Sequence, residues 1–400
     1  MKLIHTADWH LGKRLQGFAL GEQQREALAG LLAVVDEEQP EAVVVAGDVF
    51  DTPVPPLTAL DTWDWFVGEL VGERGVPLVA IPGNHDHAER LGLNARIARR
   101  SGLHVLNVLG QSHDCVRVGG VEIFGVPFHK PSHVRAAWGE EMTGFDGDYD
   151  GAMARVLDRI RGARTPGAPA VVVAHAFVEG AGAEPEGEDA ILVGGTGGVR
   201  VDTFDGFDYA ALGHIHGARS LAGRSETRTT MRYAGSTYAC SFSEAGQTKS
   251  VDVVEIDSDG VRVRPVPVAV GRRVRVIEGK SFAQVLDEAP RFDARERDDY
   301  VLVRVTDTGP LDGPLARLRE HYPHALLQQP AITMPAVSAR FAGDARTVGV
   351  EEAFRAFYRH VHGADIDGLE EDALLEVLGA DGDDDADSVD GASTPQRAPA

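Results

Sequence analysis

Residues 2–10 read KLIHTADWH, a short apolar run, Lys2–Thr6, followed by an aspartate, Asp8, and a histidine, His10. The same grammar returns four times: AVVVAGD (42–48) delivers Asp48, LVAIPGNHD (78–86) delivers Asn84 and His85, AVVVAH (170–175) delivers His175, and YAALGHIH (209–216) delivers His214 and His216. Runs this short and this rich in β-branched residues predict buried strands, and the amphipathic stretches Gly21–Glu37 and Leu57–Glu73 between them predict helices. The first 215 residues therefore read as an α/β fold, a sandwich or layered sheet. In a mostly parallel sheet, residues just past the strand C-termini meet on one rim. Five strand ends that each carry metal-binding residue types thus predict a single site drawn from across the chain. Gly47, Gly83 and Gly213 stand just before these residues, where the chain is expected to turn sharply out of its strands.

Asp8, His10, Asp48, Asn84, His175, His214 and His216 are too many donors for one tetrahedral zinc, and they suit two octahedral ions sharing one carboxylate. Imidazole, carboxylate and amide oxygen without thiolate favour Mn²⁺ over Fe²⁺, Mg²⁺ or Zn²⁺. Two adjacent divalent ions chiefly serve hydrolysis of phosphate esters, by generating hydroxide near neutral pH and clamping the phosphate oxygens.

These motifs, Asp8-Trp9-His10, Gly47-Asp48-Val49-Phe50-Asp51, Gly83-Asn84-His85-Asp86, His175 and Gly213-His214-Ile215-His216, resemble those of the calcineurin-like metallophosphoesterases. Within that superfamily HTADWHLGKRL, VVVAGDVFDTPVPP, YAALGHIH and YAGSTYACSFSEAGQTKSV are similar to the SbcD family of bacterial nucleases, relatives of the double-strand-break repair nuclease. The likeness runs through most of residues 1–378. It implies a metallophosphoesterase β-sandwich flanked by helices over 1–270, a small α+β capping domain over 271–342, and a helical partner-binding segment over 343–379. Asp8, His10, Asp48 and His216 would hold one metal; Asp48 as bridge, with Asn84, His175 and His214, would hold the other. His85 would act on the leaving oxygen as a general acid, with Asp51 orienting its ring and raising its pKa. The implied partners are DNA and an SbcC-like coiled-coil ATPase bound through the C-terminal helices, in a heterotetramer containing a homodimer of this chain. The implied reactions are 3′-to-5′ exonuclease action on duplexes with the ATPase and endonuclease action on single strands.

Length and charge frame this reading. Four hundred residues predict more than one domain. The formal charge of −23 excludes a simple polycationic binder of nucleic acid and a polybasic membrane-surface protein. Residues 361–400 hold 12 acidic residues and one Arg, a net −11, which leaves −12 for the first 360. The acidity is therefore concentrated away from the donor-bearing strands, and Arg14, Arg90, Arg96, Arg99 and Arg100 remain candidates for a local phosphate-gripping surface. The tail 380–400 has too little apolar content to fold and reads as disordered. Cys115 and Cys240 are too few for a disulfide framework. With no signal-like or membrane-spanning run, these features predict a cytoplasmic protein.

Other features carry less. Leu57, Leu60, Trp63, Val67 and Leu70 fall on one face of a predicted helix, with Trp65 and Phe66 on another, which reads as a subunit contact or as a fully buried helix. Further strands are expected at Met231–Ala234, Lys249–Ile256 and Val261–Val268, followed by a strand-helix-strand-helix order over Arg273–Tyr322. Residues 179–200, rich in Gly and acids, read as a long loop. Phe354, Phe357, Tyr358, Val361, Leu369, Leu374, Leu375, Val377 and Leu378 form a stripe suited to docking a partner or packing on the chain's own small domain. His5 reads as a strand residue, His129 as a cleft residue outside the donor set, and His87, His104, His113 and His133 as surface. Gly279-Lys280-Ser281 lacks the upstream Gly of a P-loop, because Val274 stands there, and GGTGG (194–198) is no dinucleotide fingerprint. A stand-alone metallophosphoesterase acting on small phosphodiesters or phosphoproteins is the main alternative, and residues 272–378 are chain it would not need. A DNA-end scaffold with a vestigial site is disfavoured by the intact donor set.

Overall fold

Strand β1 (Lys2–Thr6) lies inside a six-stranded sheet of order β14 (Gly260–Pro267), β13 (Ser250–Asp257), β1, β4 (Ala42–Ala46), β5 (Leu78–Ile81), β6 (Leu103–Val105). From β1 to β6 the strands are parallel, while β13 runs antiparallel to both β1 and β14. A second six-stranded sheet has the order β11 (Arg219–Leu221), β12 (Thr230–Tyr233), β10 (Tyr209–Gly213), β9 (Ala170–His175), β8 (Val121–Val126), β7 (Cys115–Val118), with β12, β10, β9 and β8 parallel. The computed structural model describes residues 1–139, 147–179, 198–221 and 229–330, with a few single residues between 354 and 368.

The two sheets face each other. Leu3, Val44, Ala46, Val79 and Ile81 of the first meet Ile123, Val171, Val173 and Ala211 of the second in a fully buried layer. The outer face of the first sheet (Ile4, Val43, Val45, Leu78) is covered by α1 (Gly21–Glu38), through Leu28 and Leu31, and by α2 (Leu57–Val67), through Phe66. The outer face of the second (Phe124, Val172, Ala210, Leu212) is covered by helix Tyr149–Ala163 through Val156, Leu157 and Ile160. Both faces of the central strands are thus buried, which is why they read as continuous apolar runs rather than alternating ones. The fold is the expected helix-flanked β-sandwich.

A three-stranded sheet, β15 (Val274–Lys280), β16 (Tyr300–Val305) and β17 (Ala325–Gln328), has its own core of Phe282, Val285, Val301, Val303, Leu318 and Tyr322. Its strands are all parallel and alternate with helices Phe282–Glu288 and Pro314–Arg319, so this expected α+β unit is built from βαβ crossovers. The Tyr300 hydroxyl donates to Gln23 Oε1 of α1, and Phe18 of a short hairpin, β2 (Arg14–Leu15) and β3 (Phe18–Ala19), packs on Tyr300. Edge strands β6, β7, β11 and β17 are only three or four residues long, too short to give a period in the sequence.

Contacts divide the chain into the unit Met1–Pro330 and a second, Ala331–Ala400. Of the second, Phe354, Arg355, Tyr358 and Arg359 are helical and described; the rest of the expected helical segment 343–379, apart from Asp365, Ile366 and Gly368, and all of the tail lie outside the described residues. So do 180–197 of the expected long loop. No helix among the described residues is long and apolar enough to cross a membrane.

Candidate metal centre

Beyond β1 the chain leaves its strand with Asp8 and His10 turned one way and Trp9 the other. Trp9 is fully buried, donates from its indole N–H to Thr6 Oγ1, and packs edge-on against Phe66 at 4.9 Å. Asp8 (φ 53°) and His10 (φ 40°) both adopt the left-handed conformation, as does Asp48 (φ 50°) after β4, and His214 after β10 also has a positive φ (108°). Such backbone costs about 1–3 kcal/mol per residue and persists where the surroundings fix it. Here Asp8 N–H donates to Gly47 O and His10 N–H to Asp48 O, lacing the two loops together.

All seven expected donors come together, three loops from the first sheet facing two from the second. His10 Nε2 lies 3.0 Å from His216 Nε2 and 3.6 Å from Asp48 Oδ2. His175 Nε2 lies 3.3 Å from Asp48 Oδ2 and 2.9 Å from Asn84 Oδ1, and His214 Nδ1 is 3.1 Å from that same amide oxygen. Asp8, His10 and His216 form one compact donor group, and Asp8, Asp48 and His175 another. Asp8 stands in both groups, and Asp48 Oδ2 lies near a histidine of each, His10 and His175.

The donors fit divalent cations. Asp8 Oδ2 is buried with no hydrogen-bond partner, a costly arrangement for a carboxylate. His175 spends its Nδ1–H on the Ala46 carbonyl at 2.8 Å, which turns the lone pair of Nε2 toward the Asn84 oxygen. A cation between such acceptors satisfies them together. The local electrostatics agree: although burial opposes it, Asp48 and Asp8 raise the His175 pKa to about 9, marking a spot that favours positive charge. Burial pushes His10 down to about 4 and His214 to about 3, which keeps both rings neutral and able to donate. A third group, His216 with Cys240 and Glu244, is no separate donor set, because Lys249 pairs with Glu244 and burial pushes the Cys240 thiol up.

His85 sits beside this cluster, its ring 4.8 Å from that of His10 and its backbone N–H on Asp48 Oδ1. Its Nδ1 meets Asp51 at 2.9 Å, but the partner is the backbone carbonyl. The Asp51 carboxylate turns instead to Lys13 Nζ at 2.7 Å and lies 3.3 Å from His10 Nδ1. The expected carboxylate partnership is therefore corrected to an orienting contact from the backbone carbonyl oxygen.

Several contributors escaped the sequence reading. Asp86 accepts from the N–H groups of Val49, Phe50 and Gly83, pinning the Asp48 loop to the Asn84 loop. Gln24 and Tyr238 both donate to the His10 carbonyl. Only Asp86, as the last residue of GNHD, had a visible signal. His129 is buried with Nδ1 on the Pro127 carbonyl, and His104 is half-buried rather than surface.

The calcineurin-like phosphoesterase family model matches residues 1–218, and a model described as the type 5 capsule protein repressor C-terminal domain matches 270–362. The chain is 29% identical over 327 residues to the SbcD subunit of nuclease SbcCD from Staphylococcus epidermidis, covering 82% of this chain and 84% of that one. Among solved structures, a Thermus thermophilus protein aligns with TM-score 0.40 at 12% identity, over 66% of this chain and 98% of its own. A dimetal phosphatase from Danio rerio aligns with TM-score 0.41 at 11% identity, over 67% of this chain and 99% of its own.

Proposed function

The chain belongs to the calcineurin-like phosphoesterase family, whose members use divalent metal ions, and from that premise we propose that it is the nuclease subunit of an SbcCD-type complex, hydrolysing phosphodiester bonds of DNA. The observation that carries this is the convergence of seven donors and His85 from five strand ends, in a chain similar to an SbcD nuclease along four-fifths of its length. Asp8, His10, Asp48 and His216 would hold one ion, and Asp48, Asn84, His175 and His214 the other, with Mn²⁺ the best match to the donor set. When bound, the ions supply Lewis acidity toward a phosphate oxygen and an activated water.

The protein's own groups do the rest. His85, with Nδ1 committed to the Asp51 carbonyl, has Nε2 left to pass a proton to the leaving oxygen. Exposed Arg90, Arg96, Arg99 and Arg100 follow directly on the His85 loop and offer charge to the flanking phosphates. Residues 271–342 would cap the site, and 343–379 would dock a coiled-coil ATPase in a heterotetramer containing a homodimer of this chain, in the cytoplasm.

The test is cleavage of linear duplex and hairpin DNA with Mn²⁺, with and without ATP and the co-expressed ATPase. DNA cleavage that responds to the ATPase is expected; turnover of small phosphodiesters with none of DNA would favour a stand-alone enzyme. His85→Ala should bind both ions and lose turnover by about 10²–10⁴-fold. Loss of metal in that variant would refute its assignment as a proton donor. Deleting residues 345–400 should abolish ATPase binding while leaving Mn²⁺-dependent cleavage of single strands, and an unchanged complex would sink the docking role.

A further inference from the structure

Among the described donor imidazoles, two have the far nitrogen beside a carboxylate: His10, with Nδ1 3.3 Å from Asp51 Oδ1, and His216, whose contact is the shorter. His216 Nδ1 lies 3.0 Å from Glu244 Oε1, whereas His175 and His85 use Nδ1 on the neutral carbonyls of Ala46 and Asp51. Glu244 is itself fixed on all sides. Lys249 Nζ lies 2.5 Å from its Oε2, Ser236 Oγ donates to Oε2 and Ser241 Oγ to Oε1. Lys249 further donates to the His216 carbonyl and to Ser236 Oγ, so the same ammonium braces both the carboxylate and the backbone of the histidine it holds. Glu244 is 4% exposed and the Lys249 side chain 5%. An ion pair taken this far out of water stabilises a fold no better than apolar residues of the same size, so its value to the fold is not what it contributes in free energy.

We propose that Glu244 is a positioning residue for the metal centre, with Lys249 as its counter-charge. By accepting the Nδ1–H of His216 it fixes the tautomer whose Nε2 lone pair faces His10 Nε2 and Asp8, and its charge makes that nitrogen a stronger donor. The consequence is asymmetric. The ion held by Asp8, His10 and His216 depends on this pair, while the ion beside His175, oriented by a backbone carbonyl, does not. The stretch SFSEAGQTKS, which holds Glu244 and Lys249, supplies no donor of its own, and this gives it a task.

This inference rests on the dinuclear reading above, and the experiment separates the two. Mn²⁺ binding is titrated calorimetrically, and by the resonance signal of free Mn²⁺, for the wild-type chain, Glu244→Gln, and the double variant Glu244→Gln/Lys249→Met. The double variant leaves no buried charge unpaired, so its metal-free thermal unfolding should match the wild type. Expected is one Mn²⁺ weakened on the order of 10–100-fold in both variants, with the second unchanged. Two sites of wild-type affinity in the folded double variant, or equal weakening of both, would overturn the role of Glu244. A wild-type chain that binds no Mn²⁺ would instead overturn the dinuclear reading, and this inference with it.

Discussion

Gly83 shows how closely the donor loops are fitted. A Cβ there would lie 2.1 Å from Asp48 Oδ1 and 2.4 Å from the Asp48 backbone nitrogen. Gly213 is as tight, with a Cβ falling 1.9 Å from the Ala46 carbonyl. Neither has a positive φ; of the three glycines expected to make turns, only Gly47 (φ 90°) does so by left-handed backbone. The other two are needed for space. Gly83→Ala should therefore cost about 1–3 kcal/mol and displace Asp48, which thermal unfolding and Mn²⁺ titration would register together. Gly162, exposed near the end of helix Tyr149–Ala163 with nothing within 4 Å of its would-be Cβ, is the control: Gly162→Ala should stabilise by about 0.5–1 kcal/mol. At this scale the residue types of the site were legible in the sequence and the atoms they use were not. Asp51 meets His85 with a carbonyl rather than a carboxylate, because atom-level roles depend on loop backbone that a motif does not encode.

Among the elements, α2 departs most from its expected face. Leu57 (77% exposed) and Leu60 (40%) look outward, while Ala59, Thr62 and Phe66 are buried. Trp9 sets this register by seating its ring on Phe66, and the helix then widens into a π-helical turn, Gly68–Glu73, that brings Leu70 and Val71 inward. A 3.6-residue period cannot foresee that change of pitch. Phe66→Ala should cost about 3–5 kcal/mol in denaturant unfolding.

Strand β1 adds a pH dependence. His5 is fully buried, its Nδ1 2.9 Å from the Tyr209 hydroxyl of the facing sheet, and burial with the charge of Arg232 lowers its pKa to about 3. The unfolded chain takes up this proton near the ordinary value of about 6.5, so stability is present above that pH and is lost as pH falls toward 3, by up to about 1.4 kcal/mol per unit. Nearby Asp252 opposes this: burial raises it to about 6 against the pull of Arg232, so it favours the fold on acidification below that value. Comparing the wild type with His5→Asn from pH 4 to 7 isolates the histidine, and equal slopes would refute its assignment as a neutral buried ring.

At the level of the whole molecule, the parallel strands of two mixed sheets aim their C-terminal ends at one centre, so removing either sheet leaves fewer than the full donor set. That much follows from reading strand ends in order, since only a layered parallel arrangement unites residues 8 and 216. What covers the outer surface is a different matter. Val54, Leu57 and Leu60 on one segment, and Leu93 and Ile97 on another, are exposed, and Arg90 ties the second segment to the first through the Pro53 carbonyl. Since Leu57 and Leu60 do not serve the core, the subunit-contact reading of α2 is the one that gives them a role, and the proposed homodimer would bury them. Replacing both with Glu should then convert a dimer to a monomer in sedimentation equilibrium. Because Phe66, on the opposite side of α2, keeps its packing on Trp9, the variant should retain thermal stability and both Mn²⁺ affinities. A variant that remains dimeric would place the subunit contact elsewhere, and one that loses metal as it dissociates would mean that the contact also supports the donor loops.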